Sequence, residues 1–262
     1  MKKLLWTLAI ILAVFVIART ALVIHGWRDC AIKFLWLARI YEHELGYNVV
    51  MPELHGCGES EGKAIQMGWK DRLDLLKWID IAHEKFNDDF MVLHGVSMGA
   101  ATVMMTSGEP LPDYVKAAVE DCGYASVVVQ FNNNRKQSFG FIPPDVLQSA
   151  SLVTKKNYGW GFWEASSVKQ LEKSTIPMLF IHGDADDFVP FDNLQYNYDA
   201  KKKGYKEMYV CHGAVHANSY QKDPEMYIHK VSNFLKTVHN MIYLKNYPYG
   251  AGCGYYVKKN ER

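Results

Sequence analysis

Short apolar runs recur along the chain: Ala21–Ile24, Tyr47–Met51, Phe90–Leu93, Val115–Val119, Met178–Ile181 and Glu207–Cys211. They are nearly continuous blocks rather than alternations of apolar and polar positions. Strands of that kind are covered on both faces, as in a parallel sheet with helices on either side. Helical spacing fills the intervals. Phe34, Leu37, Ala38, Tyr41 and Leu45 lie on one helical face, and Gly46 can stop that helix. Trp69, Leu73, Leu76 and Ile79 mark a second helix, and Met98–Ser107 a third that ends at Gly108. The last predicted helix is Pro224–His239. Asp223 suits its N-cap, Pro224 its first turn, and Ile228, Val231, Leu235 and Val238 its buried stripe. This alternation predicts an α/β fold with a mostly parallel, doubly wound sheet.

Two regions depart from the rhythm. Residues 126–174 hold Asn132-Asn133-Asn134, Pro143-Pro144 and the aromatic group Tyr158, Trp160, Phe162 and Trp163. That is too long for a plain connection and reads as an inserted helical lid. At the N-terminus, Lys2 and Lys3 precede an apolar stretch from Leu4 to Ala18, closed by Arg19. It is short against the roughly 20 residues of a spanning helix, and no good cleavage site follows it. The expectation is a single-pass signal anchor over 1–19, in the cell membrane, with the main domain outside. The main domain then covers 20–240, and a Tyr/Gly-rich tail of no evident role covers 241–262.

Composition narrows the functional classes. Of the 262 residues, 49% are hydrophobic and 22% charged, which suits one globular core. The net charge of +1 gives no field that would draw the chain to nucleic acid. The basic run Lys201-Lys202-Lys203 with Lys206 reads as a solvated helix end. Cys30, Cys57, Cys122, Cys211 and Cys253 are scattered with no C-x-x-C pair, so neither a disulfide framework nor a zinc site is expected. The loop Leu54-His55-Gly56-Cys57-Gly58-Glu59-Ser60-Glu61-Gly62 lacks the spacing of a phosphate cradle. No cofactor is implied.

The strongest chemical signal is Gly95-Val96-Ser97-Met98-Gly99, a G-x-S-x-G between a predicted strand and a predicted helix. A tight turn there would hold Ser97 above the sheet. A serine hydroxyl needs a base. His25, His94 and His182 each stand in a His-Gly pair at a strand end and read as structural. His216, in Gly213-Ala214-Val215-His216-Ala217 after the last strand, is the better base, with His212 as rival. The acid belongs after Met178–Ile181, where Asp184, Asp186 and Asp187 follow Gly183; Asp121 is a further rival after Val115–Val119. Two backbone N–H groups suit an oxyanion hole: Met98, directly after the serine, and Trp27, in the loop Ile24-His25-Gly26-Trp27. The Trp27 ring can also serve as a pocket wall.

Taken together, Ile24–Trp27, Pro52 with His55–Ser60, Gly95–Gly99, Asp121–Tyr124 and His182–Pro190 resemble bacterial α/β-hydrolases of the serine aminopeptidase/esterase-like group. The resemblance runs from about Ala21 to about His239. It implies the α/β-hydrolase fold, Ser97, Asp186 and His216 as triad, and Trp27 and Met98 as oxyanion donors. It also implies an N-terminal membrane anchor, as many of these proteins carry one. The chain departs from the pattern in one respect. An antiparallel strand pair usually precedes the strand equivalent to Ala21–Ile24, and here only Arg19 and Thr20 intervene. The first pair is therefore expected to be missing, leaving Tyr47–Met51 at a sheet edge.

The expected activity is hydrolysis of an ester or other acyl bond through an acyl-enzyme, with a small acyl or ester substrate. The alternatives are an aminopeptidase-like serine peptidase and a catalytically inactive, membrane-tethered binding protein. Oligomeric state is not legible in the sequence.

Overall fold

A computed structural model describes residues 18–138 and 144–246. The strands are β1 (Arg19–Ile24), β2 (Asn48–Val50), β3 (Phe90–Val96), β4 (Val115–Asp121), β5 (Met178–Gly183) and β6 (Lys206–Cys211). They form one sheet in the order β2-β1-β3-β4-β5-β6, and every pairing is parallel. Among the described residues β2 is one edge. The alternation of strands and helices gives a doubly wound α/β architecture.

Period-two packing explains the continuous apolar runs. In β1, Leu22 and Ile24 enter one core while Ala21 and Val23 enter the other, on the opposite face. Helices cover both faces, so β3 and β5 are buried throughout, while the edge strands β2 and β6 keep partly exposed positions. Burying a side chain such as Leu22 or Ile24 contributes roughly 1.5–3 kcal/mol. Helices α2 (Asp71–Phe86) and α3 (Met98–Thr106) cover one face. A continuous helical segment covers the other: a 3₁₀ turn over Ala31–Phe34, α1 (Leu35–Arg39) and a π turn over Ile40–Glu44. Gly46, at φ +72°, follows it.

Inside the predicted insertion, α4 (Val127–Ser138) and α5 (Pro144–Tyr158) are helical. An antiparallel bridge between Ser126 and Ser166 and the Val127 N–H on the Ala165 carbonyl (3.0 Å) close its base. Chain order continues with α6 (Ser167–Leu171), α7 (Asp192–Ala200), α8 (Ser219–Lys222) and α9 (Pro224–Asn246). The Asp223 carboxylate accepts the Met226 N–H at 3.1 Å, the capping bond expected at the start of α9. That helix runs past His239, because Ile242 extends its buried stripe by one turn. The tail beyond Asn246 lies outside the described residues.

Two expectations are corrected. The membrane placement does not stand: among the described residues no helix is long and apolar enough to cross a membrane. Residues 1–17 lie outside the described residues, and Arg19 opens β1 rather than closing an anchor. Lys201 is not a solvated helix end. Its side chain is buried, and Nζ donates to the carbonyls of Ser174 (3.2 Å) and Lys203 (2.7 Å) and to Ser174 Oγ (3.3 Å). Three acceptors replace the water it loses, and burial lowers its pKa to about 8.

Candidate active site

All strands run the same way, so the loops that follow them gather at one edge of the sheet, where ligands of open α/β sheets bind. The loops after β1, β3, β5 and β6 carry Trp27, Ser97, Asp186 and His216 respectively. Residues far apart in sequence meet there because β1, β3, β4, β5 and β6 are successive neighbours.

Ser97 sits between β3 and α3 at φ 58°, ψ −117°, a backbone conformation that side-chain-bearing residues rarely adopt. Its flanking glycines make the turn possible. A Cβ on Gly95 would stand 2.2 Å from the backbone of Gly99, and one on Gly99 would stand 2.1 Å from the Ile24 carbonyl oxygen. No other residue fits either place without moving backbone. The Ser97 N–H is anchored on the Asp121 carbonyl at 2.8 Å.

The strained turn aims Oγ at His216 Nε2, 2.8 Å away. His216 Nδ1 lies 2.8 Å from Asp186 Oδ2. The bond network assigns the protons: Nδ1 donates to the carboxylate and Nε2 accepts from the serine. Asp186 Oδ1 in turn accepts the N–H groups of Phe188 (3.0 Å) and Val189 (2.9 Å). Burial alone would raise the Asp186 pKa. The hydrogen bonds from His182 and His216 outweigh it and hold the carboxyl down at about 2. The Phe188 ring leans over the imidazole of His216, centroids 4.9 Å apart.

Of the rivals, Asp121, Asp184 and His212 are paired with other groups. Asp121 accepts from Ser219 Oγ (3.2 Å) and from the Tyr227 hydroxyl (3.1 Å). Asp184 accepts from His212 Nδ1 (2.8 Å) and the Gly213 N–H (2.6 Å), tying the loop after β5 to the loop after β6. Asp187 is exposed. His94 is buried inside β3, between the hydroxyls of Tyr41 (2.9 Å) and Tyr227 (3.1 Å). His25 is held by the Leu54 N–H and the Gly26 carbonyl.

For the expected oxyanion donors, Met98 opens α3 directly after Ser97. The loop carrying Trp27 passes close by: a Cβ on Gly26 would stand 3.6 Å from Ser97 Cβ. The Trp27 ring is about half exposed, with the Arg28 guanidinium 5.3 Å from its centroid.

Cys122, Asp186 and His216 place their donor atoms within 4.8 Å of one another, the one such grouping among the described residues. The carboxylate and imidazole are already joined at 2.8 Å. Two ligands of one tetrahedral ion sit roughly 3.3 Å apart, so this spacing is that of a hydrogen bond. The Cys122 thiol is buried, and burial pushes its pKa well above the ordinary thiol value.

Sequence reasoning missed three contacts: the second histidine on Asp186, the Asp184–His212 clamp and the Phe188 ring. The four-residue spacing of His182 and Asp186 was visible. No sequence signal turns a strand-end side chain toward a loop.

A parallel sheet, helices on both faces and a strained serine turn define the class as α/β-hydrolase. Residues 33–241 match the prolyl oligopeptidase family (peptidase family S9), and the chain belongs to it. The uncharacterized protein YqkD of Bacillus subtilis is 29% identical over 198 residues, covering 75% of this chain and 65% of that one. The uncharacterized protein YfhR of Escherichia coli O157:H7 is 24% identical over 200 residues, covering 75% of this chain and 63% of that one. The chain thus spans slightly less than two thirds of these relatives. Among solved structures, the Pyrococcus furiosus esterase Pf2001 has a TM-score of 0.66 at 23% identity, covering 84% of this chain and 82% of that one. Est1E of Butyrivibrio proteoclasticus, with ferulic acid bound, has a TM-score of 0.66 at 19% identity over 85% and 90% of the two chains. These structural likenesses carry the fold.

Proposed function

We propose that this protein is a serine hydrolase that cleaves an ester or other acyl bond through an acyl-enzyme. One observation carries the reading: the unbroken chain Ser97 Oγ, His216, Asp186, with both links at 2.8 Å and the serine in a strained turn. In this reading Ser97 attacks the carbonyl carbon while His216 Nε2 takes its proton. Asp186 keeps the imidazole in the Nδ1–H tautomer and stabilises the imidazolium. The N–H groups of Met98 and Trp27 hold the oxyanion. His216 returns the proton to the leaving group. It then activates a water that releases the acyl group and regenerates Ser97.

Residues 126–174 act as a lid over the acyl side of the site. Supporting this, Gln130 Nε2 on α4 donates to the Phe188 carbonyl at 2.8 Å, linking the insertion to the acid loop. The exposed Trp27, Phe188 and Val215 favour an apolar or aromatic acyl group. The esterase structures of like fold agree with ester chemistry. Peptide or aminoacyl amide hydrolysis is the second reading, favoured by the family's peptidase character.

A fluorophosphonate probe tests the chemistry, since only an activated serine is labelled. The wild-type chain should label and Ser97→Ala should not; full labelling of the variant would overturn the assignment. A series of p-nitrophenyl esters beside aminoacyl p-nitroanilides separates the two bond classes. Higher kcat/KM on the anilides would replace the esterase reading with the peptidase one.

A further inference from the structure

His182 does more than end a strand. Its side chain is fully buried, and its place is directly behind the acid. Nε2 lies 2.9 Å from the Val189 carbonyl oxygen and 3.3 Å from Asp186 Oδ2. Both neighbours are acceptors, so Nε2 carries a hydrogen and donates between them. Asp186 is then met by four donors. The N–H groups of Phe188 and Val189 take Oδ1, and the His216 and His182 rings share Oδ2. A carboxylate offers about four lone-pair sites, so none is left over.

We propose that His182 is a positioning residue for the acid: by donating to the same oxygen as His216, it fixes the orientation of Asp186 and moderates the charge that Oδ2 presents to the base. The inference rests on the Ser97–His216–Asp186 reading and deepens it. An oxygen shared by two donors gives less to each than an oxygen that serves one. With His182 removed, Oδ2 would turn its whole charge on His216. The imidazolium would be held more tightly, and the base would take up its proton at higher pH. The carboxylate would also lose one of the four contacts that set its rotamer, and turnover would fall.

The surroundings keep this donation in place. The groups facing His182 are Asp186 on the loop after β5, Glu120 and Asp121 on β4, and the Phe191 ring, edge-on at 6.0 Å. Burial raises Glu120 to about 8 against the pull of His182, and raises Asp121 to about 6. Burial works against a charge on His182, yet the Asp186 hydrogen bond and Glu120 outweigh it and hold its pKa above the ordinary histidine value. Glu120 Oε1 and His182 Nδ1 are both buried without a hydrogen-bond partner. A proton taken up or released on that side leaves Nε2–H unchanged. The donation to Asp186 therefore persists whichever state the ring is in.

The test is the pH profile of kcat/KM on a p-nitrophenyl ester, from roughly pH 5 to pH 9, with the full chain. His182→Leu and His182→Asn both remove the donor, since an Asn side chain is too short to reach Asp186. Gln places its amide nitrogen near the position of Nε2. The Leu and Asn variants should lose about tenfold in kcat with KM within about twofold, and the acid limb should move up by about half a pH unit. His182→Gln should return the limb toward the wild-type position. If the Leu variant does not fold, the Asn variant carries the test alone. A purely structural histidine would lower the melting temperature and leave the limb where it is, and that result would overturn the proposal. Asp186→Asn run in parallel separates the two ideas. If it turns over like wild type, the acid assignment itself fails; if it is inactive while the His182 limb stays fixed, only the role of His182 fails.

Discussion

Two chains of hydrogen bonds in this fold use the same residue types and differ in character. One is Ser97, His216 and Asp186 at the ends of β3, β6 and β5. The other runs from His94 through Tyr227 to Asp121, with Ser219 on the second carboxylate oxygen. Both hold a serine, a histidine and an aspartate. In the first, the His216 side chain is 20% exposed, and Asp186 is held charged with its pKa near 2. In the second, burial pushes charge off both ends: His94 falls to about 3 and Asp121 rises to about 6. The first chain sits on loops beyond the strands, and its serine is in a strained turn. The quiet one sits within β3 and β4 and is sealed by Tyr41 and Tyr227. Environment, not residue type, separates the two histidines, and only His216 is placed as the proposed base must be.

The largest effect should come from replacing the two aspartates, one at a time. Asp186→Asn should lower kcat by roughly 10³–10⁴, because the amide supports the wrong imidazole tautomer. Asp121→Asn should leave kcat within a few-fold and lower the melting temperature instead, since one of its two donors is left facing an N–H. Steady-state kinetics and thermal unfolding of the pair decide it. Comparable kinetic losses in both would erase the distinction.

The next effect concerns the backbone under the first chain. Gly99→Ala would set a Cβ 2.1 Å from the Ile24 carbonyl oxygen and 2.6 Å from that of His25. Backbone cannot yield as a flexible side chain can. A loss of about 3 kcal/mol or more in unfolding free energy is expected, with activity falling as the loop carrying Trp27 is displaced. Urea unfolding of a variant as stable as wild type would refute the close approach. The quiet chain needs no such glycine, because His94 stands in regular strand.

A third measurement reads the charge difference. Because the folded-state pKa of His94 lies near 3, below the ordinary value of about 6.5, the unfolded chain binds its proton first as pH falls. The neutral histidine's contribution is fully present above about pH 6.5 and is lost as pH falls toward 3. By pH 5 the loss is on the order of 2 kcal/mol. Glu120 and Asp121 have raised values and titrate with the opposite slope. The difference between wild type and His94→Gln isolates the histidine: from pH 7 to pH 5 the wild type should lose about 2 kcal/mol more in urea titrations. Equal slopes would mean that His94 takes up its proton at the same pH in the folded and unfolded chains, and that burial does not keep it neutral.

Much of this was legible in the sequence, for definite reasons. Parallel strands buried on both faces leave unbroken apolar runs, so β1, β3, β4 and β5 were visible at nearly their observed places. The strands run on through His94-Gly95 and His182-Gly183, since a polar residue at a strand end can be buried against a tyrosine or a carboxylate that the sequence places far away. Ser97 is legible because only glycines fit beside it. The order of loops on one sheet edge pointed to His216 and to the aspartates after Gly183; the family resemblance, not the loop order, singled out Asp186 among them. Lys201 misled because a basic run looks solvated, while the carbonyls that accept it belong to Ser174 and Lys203. His182 looked structural because its partner lies in a loop whose path only the folded chain fixes.

The smallest effect should come from Asp184, and it sharpens the comparison from the other side. Asp184 forms another carboxylate–histidine pair, with His212, two residues before Asp186. It is about one third exposed, and the His212 side chain is 86% exposed. The hydrogen bonds from His212 and from the Gly213 N–H hold its pKa below the ordinary carboxylate value. An exposed pair of this kind is screened by salt and adds little. Its service is geometric, since it ties the loop bearing Asp186 to the loop bearing His216. Asp184→Asn keeps an oxygen that can accept the Gly213 N–H; it loses the charge and the oxygen that met His212 Nδ1, where the exposed imidazole can turn or change tautomer to accept the amide N–H. Turnover should stay within a few-fold of wild type at low and at high salt, with the shape of the pH profile unchanged. A loss of the size expected for Asp186→Asn would mean that proximity of a carboxylate to a histidine is enough to make it part of the reaction, and the contrast drawn between buried and exposed pairs would fail.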